Sequence, residues 1–193
     1  MNWDLPKSVN IGEYDLKISC ECDYRMVLDC LCALDDDELE YENKVECALI
    51  IFYEEINTLE DIYSLSEKEI EIAIKEMFRI INCGEEEKGT EEENKPRLMD
   101  WKHDFKYIAP SVSRILGYDI RTQDKFTHYW SFIGAYQEIG ECVWSTIVSI
   151  RKKKAYGKKL ENWEQEFYKE NKKDVDLPKN LTEEEKEWLD SDW

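Results

Sequence analysis

Four prolines and seven glycines in 193 residues are too few for a turn-rich β architecture, in which tight reversals recur along the chain. Long apolar runs are also missing. None approaches the roughly 20 residues a membrane-spanning helix needs, and Met1 to Asn10 lacks the basic start and apolar stretch of a signal peptide. A cytoplasmic chain is expected. Positive charge is scarce: 26 Lys and Arg against 45 Asp and Glu leave a net charge of −19. That balance argues against nucleic acid or membrane as a partner, because both attract basic surface. No phosphate-cradling glycine loop, nucleophile elbow or zinc-protease motif occurs. The two histidines, His103 and His128, have no ligand array around them. Asp104 could orient a histidine, but a general base also needs a nucleophile and a pocket. The chain is therefore read as a non-enzyme with no cofactor.

What is present suits one sizeable helical domain: 42% of residues are apolar, enough for a core at this length. Seven cysteines, an odd number, act in a reducing cytoplasm as small hydrophobes more readily than as disulfides. Four of them fall in CECDYRMVLDCLC, Cys20 to Cys32, and four thiolates could surround a zinc ion. A helix from Tyr24 would set Cys30 and Cys32 about 200° apart around its axis. Cys20 and Cys22, sharing one strand face, would make only half a site. No metal is expected. Asp35-Asp-Asp-Glu38 lacks the alternating ligands and central glycine of a calcium loop and reads as a solvated helix junction.

Along the chain, Val9-Asn-Ile11 and Tyr14 to Ile18 alternate apolar and polar residues around Gly12, the pattern of a β-hairpin. Asp23 can cap a helix from Tyr24 to Leu34, and a second helix from Glu40 to Glu54 would pair with it. Thr58 starts a short helical turn. Ser66-Glu-Lys-Glu69 is a capping box for a helix through Ile81, with Gly84 as its C-terminal cap. Glu85 to Pro96 holds six Glu, two Lys and no apolar residue, predicting a mobile acidic loop that cannot offset its ordering entropy by burial. A helix from Trp101 should end at Gly117, kinked or broken at Pro110. Thr122 should cap a helix carrying Phe126, Tyr129, Trp130, Ile133 and Tyr136. Cys142 to Ile150 continues as helix into Arg151-Lys-Lys-Lys154, basic charge where a helix C-terminus favours it.

The fold class expected is mainly α: a multi-helix domain with a small N-terminal β-hairpin over residues 1–157. A charged helical tail over 158–193 follows. It carries Trp163, Phe167 and Tyr168, then a capping box at Thr182-Glu-Glu-Glu185 that leads to Trp188 and Trp193. The tail could dock on a partner through these aromatics.

Several stretches, in order, resemble a family of tailed phages and prophages of Gram-positive bacteria, the bacteriophage gene-product-fifteen family. Leu5-Pro-Lys-Ser-Val9 with Gly12-Glu-Tyr14 resembles its opening hairpin, and Asp23-Tyr-Arg25 the start of its first helix. Phe78 to Gly84 and Asp100-Trp-Lys-His-Asp104 resemble the segments flanking its acidic loop. Gly117-Tyr-Asp-Ile120 and His128-Tyr-Trp-Ser-Phe132 are similar to its central motifs. The resemblance covers about Leu5 to Lys173. Tyr129-Trp130 departs from the usual aromatic pair after His128, and the chain beyond Leu177 has no counterpart.

The resemblance implies a protein encoded beside the tape measure in a tail module, hence a tail assembly chaperone. It would keep the long tape-measure chain soluble in the host cell cytoplasm while tail-tube subunits polymerise around it. The tape-measure protein is then the expected partner and the tail-tube protein a second candidate, with a homo-oligomer left open. Residues proposed for partner contact are Tyr129, Trp130, Phe132, Trp163, Phe167 and Trp188, the core being the preferred place for the central group. A structural tail or baseplate component is the alternative. An acidic DNA mimic that blocks a host enzyme is the third reading.

Overall fold

A computed structural model describes residues 4–12, 14–85, 96–122 and 124–178. The acidic stretch expected to be a mobile loop lies almost wholly outside them, as do Thr182 to Glu185, Trp188 and Trp193. The described residues form a two-stranded hairpin and nine α-helices, which is the mainly α architecture with an N-terminal hairpin that the sequence pattern predicts.

Strands β1 (Ser8–Asn10) and β2 (Asp15–Lys17) pair antiparallel with Val9 opposite Leu16, both buried. One face of the hairpin therefore seals the core while its polar residues stay in water. A short 3-10 turn, Ser19–Glu21, follows, with Cys20, Glu21 and Cys22 all at positive φ. Cys20 and Cys22 thus leave the strand instead of sharing a face of it. Three successive non-glycine residues in the left-handed region cost about 1–2 kcal/mol each.

Helix α1 (Tyr24–Leu34) begins where Asp23 accepts the Arg25 amide, and it packs along α2 (Tyr41–Phe52) as a helical hairpin. Capping boxes at Thr58 and Ser66 start α3 (Leu59–Ser64) and α4 (Glu67–Ile81). Each satisfies amides that a helix start leaves free, by hydroxyl and carboxylate reciprocally. Helix α4 ends at Asn82, and both Cys83 and Gly84 then turn left-handed.

Helix α5 (Trp101–Leu116) has the expected ends and runs through Pro110 without a break, the one of the two expected effects of that proline that the structure excludes. Pro110 lies on the exposed side, where water can reach the carbonyl left without a donor, and Gly117 caps the end at φ 79°. Helix α6 (Tyr129–Gln137) starts at His128, not at Thr122. Ile120, Thr122, Lys125 and Thr127, which precede it, instead hydrogen-bond to Asp23, Tyr24 and Arg25 at the start of α1. Then come α7 (Val143–Ala155), α8 (Asn162–Glu170) and α9 (Lys172–Val175). The core runs from the hairpin through α1, α2 and α4 to α5, α6 and α7.

Candidate partner-binding surface

Most of the stretches that carry the family resemblance meet at one joint. The Tyr24 amide donates to Thr127 O at 3.0 Å and the Tyr129 amide to Cys22 O at 2.9 Å, so the start of α1 and the start of α6 form a local antiparallel bridge. Asp23 caps α1 with one carboxylate oxygen and accepts the Thr127 amide with the other, at 3.2 Å. Tyr24 donates its hydroxyl to Ile120 O at 2.8 Å, and its ring stacks on Phe132 with centroids 4.7 Å apart. Arg25 donates to the carbonyls of Ile120, Thr122 and Lys125. Trp101, at the start of α5, leans on both Phe132 and Tyr136.

His128 sits inside this joint. Its Nδ1 accepts the Trp130 amide at 3.1 Å and its Nε2 lies 3.2 Å from Pro6 O. A neutral imidazole protonated at Nε2 satisfies both contacts. Burial lowers its pKa from the ordinary value, which favours that neutral form. Trp130 reaches from α6 to the end of α4, where its Nε1 donates to Ile80 O at 2.8 Å and its ring covers Gly84.

This geometry sorts the aromatic residues singled out from sequence. Tyr129 and Phe132 are buried in the core, and Trp130 is half-buried as a clamp between helices. Phe167 is partly buried against the core. Trp163 is 53% exposed on α8, its Nε1 donating to Glu161 at 3.0 Å. Trp188 lies outside the described residues. Four exposed tyrosines are absent from the sequence-derived set, Tyr14, Tyr156 and the two most exposed: Tyr41 at the start of α2, 75% exposed, and Tyr63 on α3, 66% exposed. Tyr63 donates to Glu46 on α2 at 2.6 Å. Leu59, one helical turn before Tyr63, is exposed as well. Tyr41 and Tyr63 sit in acidic surroundings: Asp35 to Glu46 holds seven acids and one Lys, and Glu54 to Glu71 seven acids and one Lys. Apolar spacing does not mark them as exposed, and the clustered carboxylates around each are the one sequence signal that points to them.

A second feature invisible from sequence is a buried ion pair. Arg151 on α7 reaches Asp104 on α5 through two hydrogen bonds of 2.7 and 2.8 Å. Its other donors go to the carbonyls of Leu98, Asp174 and Val175. Asp104 therefore serves Arg151, not a histidine. Two lysines of the basic run at the end of α7 are likewise paired within the fold: Lys153 with Glu164 and Lys154 with Asp176.

The cysteines do not converge. Cys20 is exposed, Cys22 and Cys30 are buried, and Cys32 is half-buried. Burial pushes the Cys22 thiol up to about 12, so it behaves as an apolar side chain. Among the described residues no group of three or more His, Cys, Asp or Glu is placed to ligate a metal, and no helix is long and apolar enough to cross a membrane.

No curated protein and no solved structure matches this chain. The family model described as Bacteriophage Gp15 protein matches residues 1–177, which takes in the hairpin, the α1 to α6 joint and the docked C-terminal helices. The chain belongs to the Bacteriophage Gp15 protein family.

Proposed function

We propose that this chain is a tail assembly chaperone, active in the host cell cytoplasm, which binds the tape-measure protein and aids tail-tube assembly through protein–protein contacts. The observation that carries the reading is the pairing of exposed aromatic rings with carboxylates, Tyr63 on Glu46 and Trp163 on Glu161, across a chain of net charge −19. Such rings offer apolar area at low entropy cost, and the acids around them attract basic segments over a distance of about one Debye length. Amphipathic helices of the tape measure would lay their apolar stripes against Tyr41, Tyr63 and Trp163, in the manner of helix-in-groove recognition. Separate anchors of this kind hold a client weakly enough to yield it when tube subunits polymerise.

Membership of a phage family supports this reading, and so does the internal use of the basic residues. The same pairing works against DNA mimicry, since acids matched to Lys and Arg do not form a continuous negative stripe. Co-expression with the tape-measure protein tests the proposal: the client should become soluble and co-purify. Mass spectrometry of purified particles separates the chaperone from a tail or baseplate component, because a chaperone is absent from the mature virion.

A further inference from the structure

We propose that the face formed by α5 and α7 is a peptide-docking site for short Asp-apolar-Asp segments of a partner protein, occupied in this structure by the chain's own Asp174-Val175-Asp176. Helix α9 has four residues, too few to be stable by itself, so the surface beneath it fixes its position. That surface reads the segment as a linear motif is read. Val175 is its one buried apolar side chain, 1% exposed. Arg151 takes the backbone, donating from Nη2 to Asp174 O at 2.8 Å and from Nε to Val175 O at 2.6 Å. Two bases take the acids on either side: Lys106 pairs with Asp174 and Lys154 with Asp176. The Tyr168 hydroxyl adds a 2.8 Å bond to Asp176.

The receptor half of this arrangement is built independently of the segment. Asp104 fixes the Arg151 guanidinium from the opposite side, with both side chains out of water. When the segment leaves, Arg151 keeps its orientation but faces an open groove with two unsatisfied donors and the hollow left by Val175. Restoring those contacts requires two adjacent carbonyls, one apolar side chain and flanking carboxylates, which defines the chemistry of the competitor. Both flanking ion pairs are partly exposed and screened by salt, so they hold the segment weakly beside the buried Val175 and the Arg151 bonds. In the resting protein the tethered segment wins through its high effective concentration. The site goes beyond the chaperone reading and does not depend on which protein the chain serves.

The test uses the full chain carrying D174N, V175S and D176N together, and a fluorescent peptide of sequence NKKDVDLP, residues 171–178. The variant should bind the peptide, and the unaltered chain should bind it roughly tenfold or more weakly because its own segment competes. A peptide with the same three substitutions should not bind. Adding K106E and K154E to the variant should weaken binding by roughly tenfold. Absence of binding by a variant with native circular dichroism would overturn the proposal, as would equal binding of the two peptides. A peptide-sensitive dimer of the unaltered chain would assign the site to a second copy and overturn the foreign segment. Hydrogen exchange on the unaltered chain needs no variant to fold. The Val175 and Asp176 amides should exchange much faster than those of Ile147 and Ile150, and equal rates would show that the site never empties.

Discussion

Arg151 and Asp104, 47 residues apart in sequence, face each other through two parallel hydrogen bonds of 2.7 and 2.8 Å, with their side chains 5% and 0% exposed. All five guanidinium donors are engaged. The pair joins α5, α7 and the C-terminal segment at one point.

Removing one partner leaves the other charged and buried, so Asp104→Asn or Arg151→Met should each destabilise the fold by about 3–5 kcal/mol. Urea denaturation measures it. Replacing both together should cost less than the sum of the single changes, since no charge is then stranded.

Gly84 and Gly134 should respond to alanine in opposite directions. Gly84 has φ 88°, and a Cβ there would lie 3.3 Å from the Trp130 ring that clamps α4 to α6. Gly84→Ala should lower stability by about 1–2 kcal/mol. Gly134 lies within α6 with nothing near its added Cβ, and Gly134→Ala should raise stability by about 0.5–1 kcal/mol. Thermal unfolding of the two variants checks the signs.

His128 should make stability fall on mild acidification. Its folded pKa is lowered, chiefly by burial, with Pro6 O and Asp23 opposing and Lys7 adding to the shift. The unfolded chain therefore takes up this proton at a higher pH than the folded chain does. The contribution is complete above the ordinary value of 6.5 and is lost as pH falls from there towards the lowered value. Protonation at Nδ1 also ends its capping of the Trp130 amide. His128→Asn, which keeps a capping oxygen, should flatten the change in urea midpoint between pH 7.5 and pH 5.5.

A thiol reagent should modify Cys20 in the native protein and spare Cys22 and Cys30. Cys20 is exposed, whereas burial pushes the Cys22 thiol up to about 12 and the Cys30 thiol higher still. Mass spectrometry of labelled peptides with and without denaturant separates the classes.

What could be read from the sequence was local. Asp23, Thr58 and Ser66 mark their helix starts with chemistry contained in four residues, and Gly117 ends α5 by its own backbone freedom. The start of α6 was misplaced because Thr122 has a cap's composition, while its carbonyl is used by Arg25, nearly a hundred residues earlier. The Asp104–Arg151 pair and the Trp130 clamp on Ile80 are equally nonlocal, and side-chain periodicity carries no trace of such partners. For the surface, Trp163 was legible as an aromatic on a polar helix. Tyr41 and Tyr63 were not, because apolar spacing assigns aromatics to the buried face before exposure is known.

The account turns on tape-measure binding, and the direct measurement is co-purification of tagged chain and tape measure after co-expression. The unaltered chain should retain a soluble client, and Tyr41→Ser, Tyr63→Ser and Trp163→Ser combined should lose most of it while leaving the melting temperature nearly unchanged. A tape measure that stays insoluble and unbound beside the unaltered, folded chain would contradict the chaperone reading.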